Sequence, residues 1–297
     1  MARGRSAATI STDSERMMLL AAVALTVTWA AGPDYLGLTL TQYEAPAWWS
    51  VALVAGAALA VWAVWTGWTH AGWLVLGQVV AAGVADRLAR SIVLESDAQI
   101  AAAEAVRVLF DGSNPYAHEF TSVTPESAAL GSVFPYLPGY MLFYRIAEVG
   151  AGTVNGADRW TSIGIVILLA GLFPLVGFGR AALASAVFGT WMLAGYRALD
   201  GSSDTAVTFM LLGIVLLALA HREGEWHSGL IVASALVCSW AILFKQFAWI
   251  VVPFLLLWLY RNKGPWKLWG GIQAALFPAV TAPFLTPDPG PLLTTVL

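Results

Sequence analysis

The chain has 297 residues, 59% hydrophobic and only 11% charged, with a formal net charge of −3. A soluble domain carries about 25% charged residues, so this composition would leave broad apolar patches against water and fits a lipid solvent better. The weak acidity excludes a nucleic-acid footprint, and the single cysteine, Cys238, excludes an intrachain disulfide or a cysteine metal centre.

Arg3 and Arg5 precede a first apolar run that ends in Ala-Gly-Pro. Asp13 and Glu15 interrupt the basic region and further apolar segments follow, so the run reads as a spanning helix rather than a cleaved signal peptide. A crossing needs about 20 mostly apolar residues. The segments 17–32, 47–68, 71–94, 160–178, 181–199, 205–221, 228–245, 247–260 and 268–285 qualify or come close. The segment 138–150 carries Arg145 and Glu148 and reads either as a short crossing or as a half-helix at the surface. The expected fold is an all-α polytopic membrane protein of about nine to ten crossings. Residues 1–15 form a tail, and 16–297 form a single transmembrane domain whose outer loop, 95–138, bears short surface helices.

Lys and Arg orient such a chain. Arg3, Arg5 and Arg16 place the N-terminus in the cytoplasm, and Arg222, Arg261, Lys263 and Lys267 fall in loops assigned to the same side. Trp226, Trp266 and Trp269 flank those loops as interfacial anchors would. The stretch 95–138 then lies outside, and its acidic residues, among them Glu95, Asp97, Glu104 and Asp111, face only Arg107. Following the crossings brings Asp97, Asp204 and Lys245 to that outer face.

Several side chains there carry chemistry. Asp97 follows a spanning helix and can act as a general base, hold a divalent metal ion, or cap the helix expected at 98–110. Gly112-Ser113-Asn114-Pro115-Tyr116 is a turn that stops that helix. His118 and Glu119 are two neighbouring metal donors without a third. Tyr136-Leu137-Pro138 re-enters apolar sequence, either as plain helix initiation or as an aromatic wall beside a lipid or sugar site. Asp204 caps the helix from 205 or lines a site. Lys245-Gln246 interrupts an apolar run. A lysine at membrane depth costs about 2.5–3.5 kcal/mol, so Lys245 either snorkels or meets an anion such as a phosphate headgroup. Asp86 and Arg90, with Arg87 between them, are spaced to pair along the segment 71–94.

In this order, the pieces resemble the glycosyltransferase C superfamily, nearest to the bacterial polyprenol-phosphate-mannose-dependent mannosyltransferases and the protein-mannosyltransferase-like group. Asp97, the 112–116 turn, Tyr136-Leu137-Pro138, Asp204 and Lys245-Gln246 with Pro253 carry the likeness, which covers about residues 75–260. The resemblance implies an inverting transfer of a hexose, mannose first, from a polyprenyl-phosphate donor to an acceptor hydroxyl on a glycan, lipid or protein. Asp97 would be the catalytic carboxylate and Lys245 would hold the donor phosphate. Asp204, Tyr136, Tyr116, Asn114 and Gln246 would line the cavity. Family members continue beyond the point where this chain ends, and an added pair of apolar segments within 17–68 precedes the pattern. A reduced member, a truncated chain or a non-catalytic relative would each account for this. A divalent metal cofactor stays open. The competing functions are a transporter or lipid flippase, and a non-catalytic assembly subunit. The absence of an internal repeat speaks against a transporter.

Overall fold

The computed structural model describes residues 13–31, 41–43, 47–92, 97–120, 134, 136–151, 157–190, 205–222, 225–286 and 288–296. Asp204 and the 121–133 part of the outer stretch lie outside the described residues. The fold is all-α. In chain order the helices are α1 (Asp13–Ala31), α2 (Ala47–Thr66), α3 (Ala71–Ala89), α4 (Asp97–Phe110), α5 (Pro138–Ala151), α6 (Ala157–Gly171) and α7 (Phe173–Val176). They continue as α8 (Phe178–Thr190), α9 (Thr205–Ala220), α10 (Ser228–Phe244), α11 (Val251–Arg261), α12 (Trp266–Leu285) and α13 (Gly290–Val296). Two small antiparallel pairs join helix ends: Thr41–Tyr43 with Arg90–Ile92, and His221–Arg222 with Glu225–Trp226.

Among the described residues, three stretches are long and apolar enough to cross a membrane: Ala71–Leu88, Ala157–Val176 and Trp266–Leu285. Shorter apolar helices accompany them, including Val51–Thr66, Ala206–Ala220 and Ser228–Phe244. Large apolar side chains point outward, Trp65 at 80% exposure and Phe254 at 67% among them.

Local chemistry moves several of the expected boundaries. The segment 71–94 is helical only to Ala89, because Arg90–Ile92 pairs with Thr41–Tyr43. The segment 160–178 is interrupted at Leu172 and restarts as α7 around Pro174, which has no N–H to continue the ladder. The segment 247–260 opens as a 3-10 turn, Gln246–Ile250, before α11 begins. At 14 residues, α5 is about 21 Å long, short of a bilayer core of about 30 Å.

By contact, the chain divides into two compact units, Met1–Leu94 with Asp158–Leu199 and Glu95–Ala157 with Asp200–Leu297. In the first unit α1, α2, α3 and α8 pack together. Glycines let the backbones approach: a Cβ at Gly83 would lie 3.0 Å from Val166 and 3.7 Å from the Cα of Gly189. Arg87 is fully buried there. Its guanidinium donates to Ser162 Oγ, to Gly83 O at 2.9 Å, to Gly189 O at 3.0 Å and to Phe188 O at 3.4 Å. Since α3 ends at Ala89, Arg90 belongs to a strand, and Arg87 is the arginine that the helix buries.

In the second unit α9 packs against α10. Ser234 Oγ donates to Gly213 O at 2.7 Å and accepts from Nε1 of the buried Trp269 at 3.1 Å, which ties α9, α10 and α12 together. The turn from α11 to α12 closes with Lys263 N–H to Tyr260 O at 3.1 Å and Gly264 N–H to Leu259 O at 2.8 Å. This is a Schellman arrangement with Lys263 in the left-handed position at φ +54°, which costs a lysine roughly 1 kcal/mol relative to glycine.

Candidate functional site

The site is built entirely within the second unit, from the outer stretch and the break after α10. Asp97 is the first residue of α4, an amphipathic helix that buries Ala101, Ala102, Ala105 and Val106 and exposes Arg107. The helix stops at Gly112, whose φ of +74° only glycine adopts without strain. Gly112 N–H to Leu109 O and Ser113 N–H to Val108 O, each 3.1 Å, complete a Schellman end.

The chain then turns through the 3-10 segment Pro115–Ala117. Asn114 Oδ1 accepts the Tyr116 N–H at 3.0 Å and caps it. Tyr116 is 2% exposed and its hydroxyl donates to Tyr136 O at 2.8 Å. Burial pushes that hydroxyl well above the ordinary phenol range, so it stays a donor. The same turn is clasped to α4 by His118 Nε2 and Glu104 Oε1, 3.0 Å apart. The carboxylate partner of His118 is therefore Glu104 rather than the neighbouring, exposed Glu119.

Tyr136 and Lys245 meet because α5 abuts the end of α10. Leu137 N–H donates to Phe244 O at 3.3 Å. A Cβ at Gly139 would lie 2.6 Å from Leu243 Cβ and 2.8 Å from Leu243 O, so only glycine fits the crossing. Lys245 terminates α10 in extended backbone, φ −152°. It is half-buried, with Nζ 5.9 Å from the Tyr136 ring centroid, within cation–π range. Tyr136 and Tyr140 lie 4.6 Å apart, and Tyr140 meets Phe244 edge-on at 5.4 Å.

Immediately after Lys245, Gln246 is half-buried and opens the 3-10 turn. Trp249 Nε1 donates back to Ile242 O at 2.9 Å. With Val252, Pro253 and Phe277 these two residues line an apolar cavity of about 260 Å³. Lys245, with the Tyr136 ring beside it, thus falls in the chain between Ile242 and Trp249, two residues that line the cavity. A cation beside an aromatic ring, with apolar space lined by its chain neighbours, suits an amphipathic anion.

Five of the residues expected from sequence, Asn114, Tyr116, Tyr136, Lys245 and Gln246, fall in this region. Asp97 opens the helix that packs on α5 and on the Tyr116 turn. Sequence reasoning overlooked Glu104, Gly139, Tyr140 and Phe244. The i, i+4 tyrosines Tyr140 and Tyr144, both fully buried, were a signal of an aromatic face on α5. Among the described residues, no cluster of three or more His, Cys, Asp or Glu is placed to hold a metal. No protein-family model, curated protein or solved structure matches the chain.

Proposed function

We propose that the chain is a multi-pass membrane glycosyltransferase that moves a hexose from a polyprenyl-phosphate donor to an acceptor hydroxyl at the extracytoplasmic face. The observation that carries this reading is the placement of Lys245 against Tyr136 at the end of α10, between Ile242 and Trp249, which line an apolar cavity. A lipid phosphate needs a cation for its head and an apolar space for its chain, and a sugar ring packs on an aromatic face.

In the proposed reaction the acceptor oxygen attacks the anomeric carbon from the face opposite the lipid phosphate, which inverts that centre. The acceptor proton passes to the Asp97 carboxylate. The bond from the anomeric carbon to the phosphate oxygen breaks, its electron pair stays on that oxygen, and the Lys245 ammonium stabilises the charge. The phosphate is already a good leaving group, so a base and a cation are the main requirements.

The test is transfer of label from radiolabelled polyprenyl-phosphate mannose in proteoliposomes of the full chain. Asp97→Asn is expected to lower turnover by about 10²- to 10⁴-fold with donor binding retained. Lys245→Met is expected to weaken donor binding. Unchanged turnover in Asp97→Asn removes that residue as base. Solute uptake without sugar transfer by the native chain would replace the reading with a transporter.

A further inference from the structure

We propose that the turn between α11 and α12 is a binding site for the phosphate headgroups of anionic phospholipids. The inference rests on the membrane placement of these helices and not on sugar transfer. The turn lies at the opposite end of α10 from Lys245, about 25 Å away along a 17-residue helix.

Arg261, Lys263 and Lys267 project from it within seven residues, and all three are exposed. No Asp or Glu occurs between Glu225 and Asp288. On the adjoining hairpin Arg222 and Glu225, one residue of each sign, are partners in the backbone register. Glu223, on the same hairpin, lies outside the described residues. His221 opens the hairpin and His227 follows it.

Aromatic rings border the cations. Tyr260 is 63% exposed and Trp266 38%, their centroids 6.0 Å apart, and Lys267 Nζ lies 5.6 Å from the Trp266 ring. Trp258 meets Trp226 edge-on at 5.6 Å, and Trp226 stacks on His221 at 4.5 Å. Trp and Tyr settle at headgroup level, where phosphates sit.

The backbone adds an independent observation. Lys263 is the only non-glycine at positive φ among the described residues. Gly264, one position on, cannot trade places with it in size: a Cβ there would lie 2.8 Å from both Leu259 and Trp226. The packed, small position belongs to glycine, and the strained outward position carries a charge. Three cations at a basic, aromatic-rimmed turn complement an anionic headgroup layer.

The experiment titrates the full chain, in detergent micelles, with phosphatidylglycerol, phosphatidylcholine or inorganic phosphate, counting bound molecules by native mass spectrometry. Phosphatidylglycerol is expected to bind, with the other two lagging by at least tenfold. Each cation is expected to contribute roughly fivefold, so Arg261→Gln/Lys263→Gln/Lys267→Gln weakens the lipid by about a hundredfold. Lys263→Gly guards against misfolding: it relieves the backbone, so thermal stability holds or rises while lipid affinity drops about fivefold. Equal binding of phosphatidylcholine, displacement by equimolar inorganic phosphate, or undiminished affinity in Lys263→Gly would each overturn the proposal. Sugar transfer is read separately and does not enter this outcome.

Discussion

The two units hold a cation in apolar surroundings in opposite ways. In the first, Arg87 has no exposed surface and points its donors at the carbonyls of Gly83, Phe188 and Gly189 and at Ser162. In the second, Lys245 sits where a helix ends, half-buried, with an aromatic ring beside it and an apolar cavity lined by its chain neighbours. Both are positive charges in apolar surroundings, where an unpaired ion is costly. Arg87 satisfies protein backbone and so holds helices together. Lys245 stays half-buried at the end of α10. Charge in an apolar chain is thus a pointer to function only after its burial and geometry are known.

The sharpest way to break this contrast is to neutralise each cation in turn. Arg87→Met leaves buried carbonyls and a hydroxyl short of donors and is expected to cost about 3–5 kcal/mol. Melting in detergent would then fall by roughly 10 °C. Lys245→Met is expected to move melting by less than about 2 °C while weakening binding of a polyprenyl phosphate by roughly 10- to 100-fold. Equal loss of stability in the two variants would erase the distinction.

A smaller effect tests how Lys245 is held. Gly139→Val forces α5 away from Leu243 and is expected to cost about 1–3 kcal/mol. It separates Tyr136 from Lys245, so lipid-phosphate binding drops toward the Lys245→Met level although both site residues remain. Retained binding would show that the apposition of α5 and α10 is not what positions the cation.

The smallest effect concerns Tyr116. Tyr116→Phe removes the bond to Tyr136 O and is expected to cost about 1 kcal/mol. Burial raises the native hydroxyl's pKa, so its stabilising preference for the neutral form holds below the ordinary value near 10 and is lost as pH rises toward the native one. Absorbance at about 295 nm, titrated from about pH 8 to 11, should therefore change equally in the native protein and in Tyr116→Phe. One tyrosine's amplitude missing from the variant would mean that Tyr116 ionises freely.

Elements with strong local signals were legible in the sequence. The stop at Gly112 and the turn through Asn114 follow from their residue types, and a helix was expected over 98–110, where the observed one starts a residue earlier at Asp97. Pairings between distant segments were not. Nothing local marks Glu104 rather than Glu119 as the partner of His118, because that choice depends on how α4 folds against the turn. Arg87 and Arg90 look alike as letters, and only the end of α3 at Ala89 separates a buried helical residue from a strand residue. The resemblance gave Lys245 the donor phosphate and Tyr136 a place in the cavity lining, whereas the close approach of α5 to α10 beside them depends on Gly139, a residue with no chemistry of its own.

The lone thiol offers a practical opening. Cys238 is sealed against Gly213, with no accessible surface, and the chain has no other cysteine. Reagents confined to water will therefore find nothing to modify in the native protein. Cysteines introduced one at a time, at Lys263 on one end and Ser113 on the other, would report which side of a sealed vesicle each faces without any need to remove the resident sulfur first.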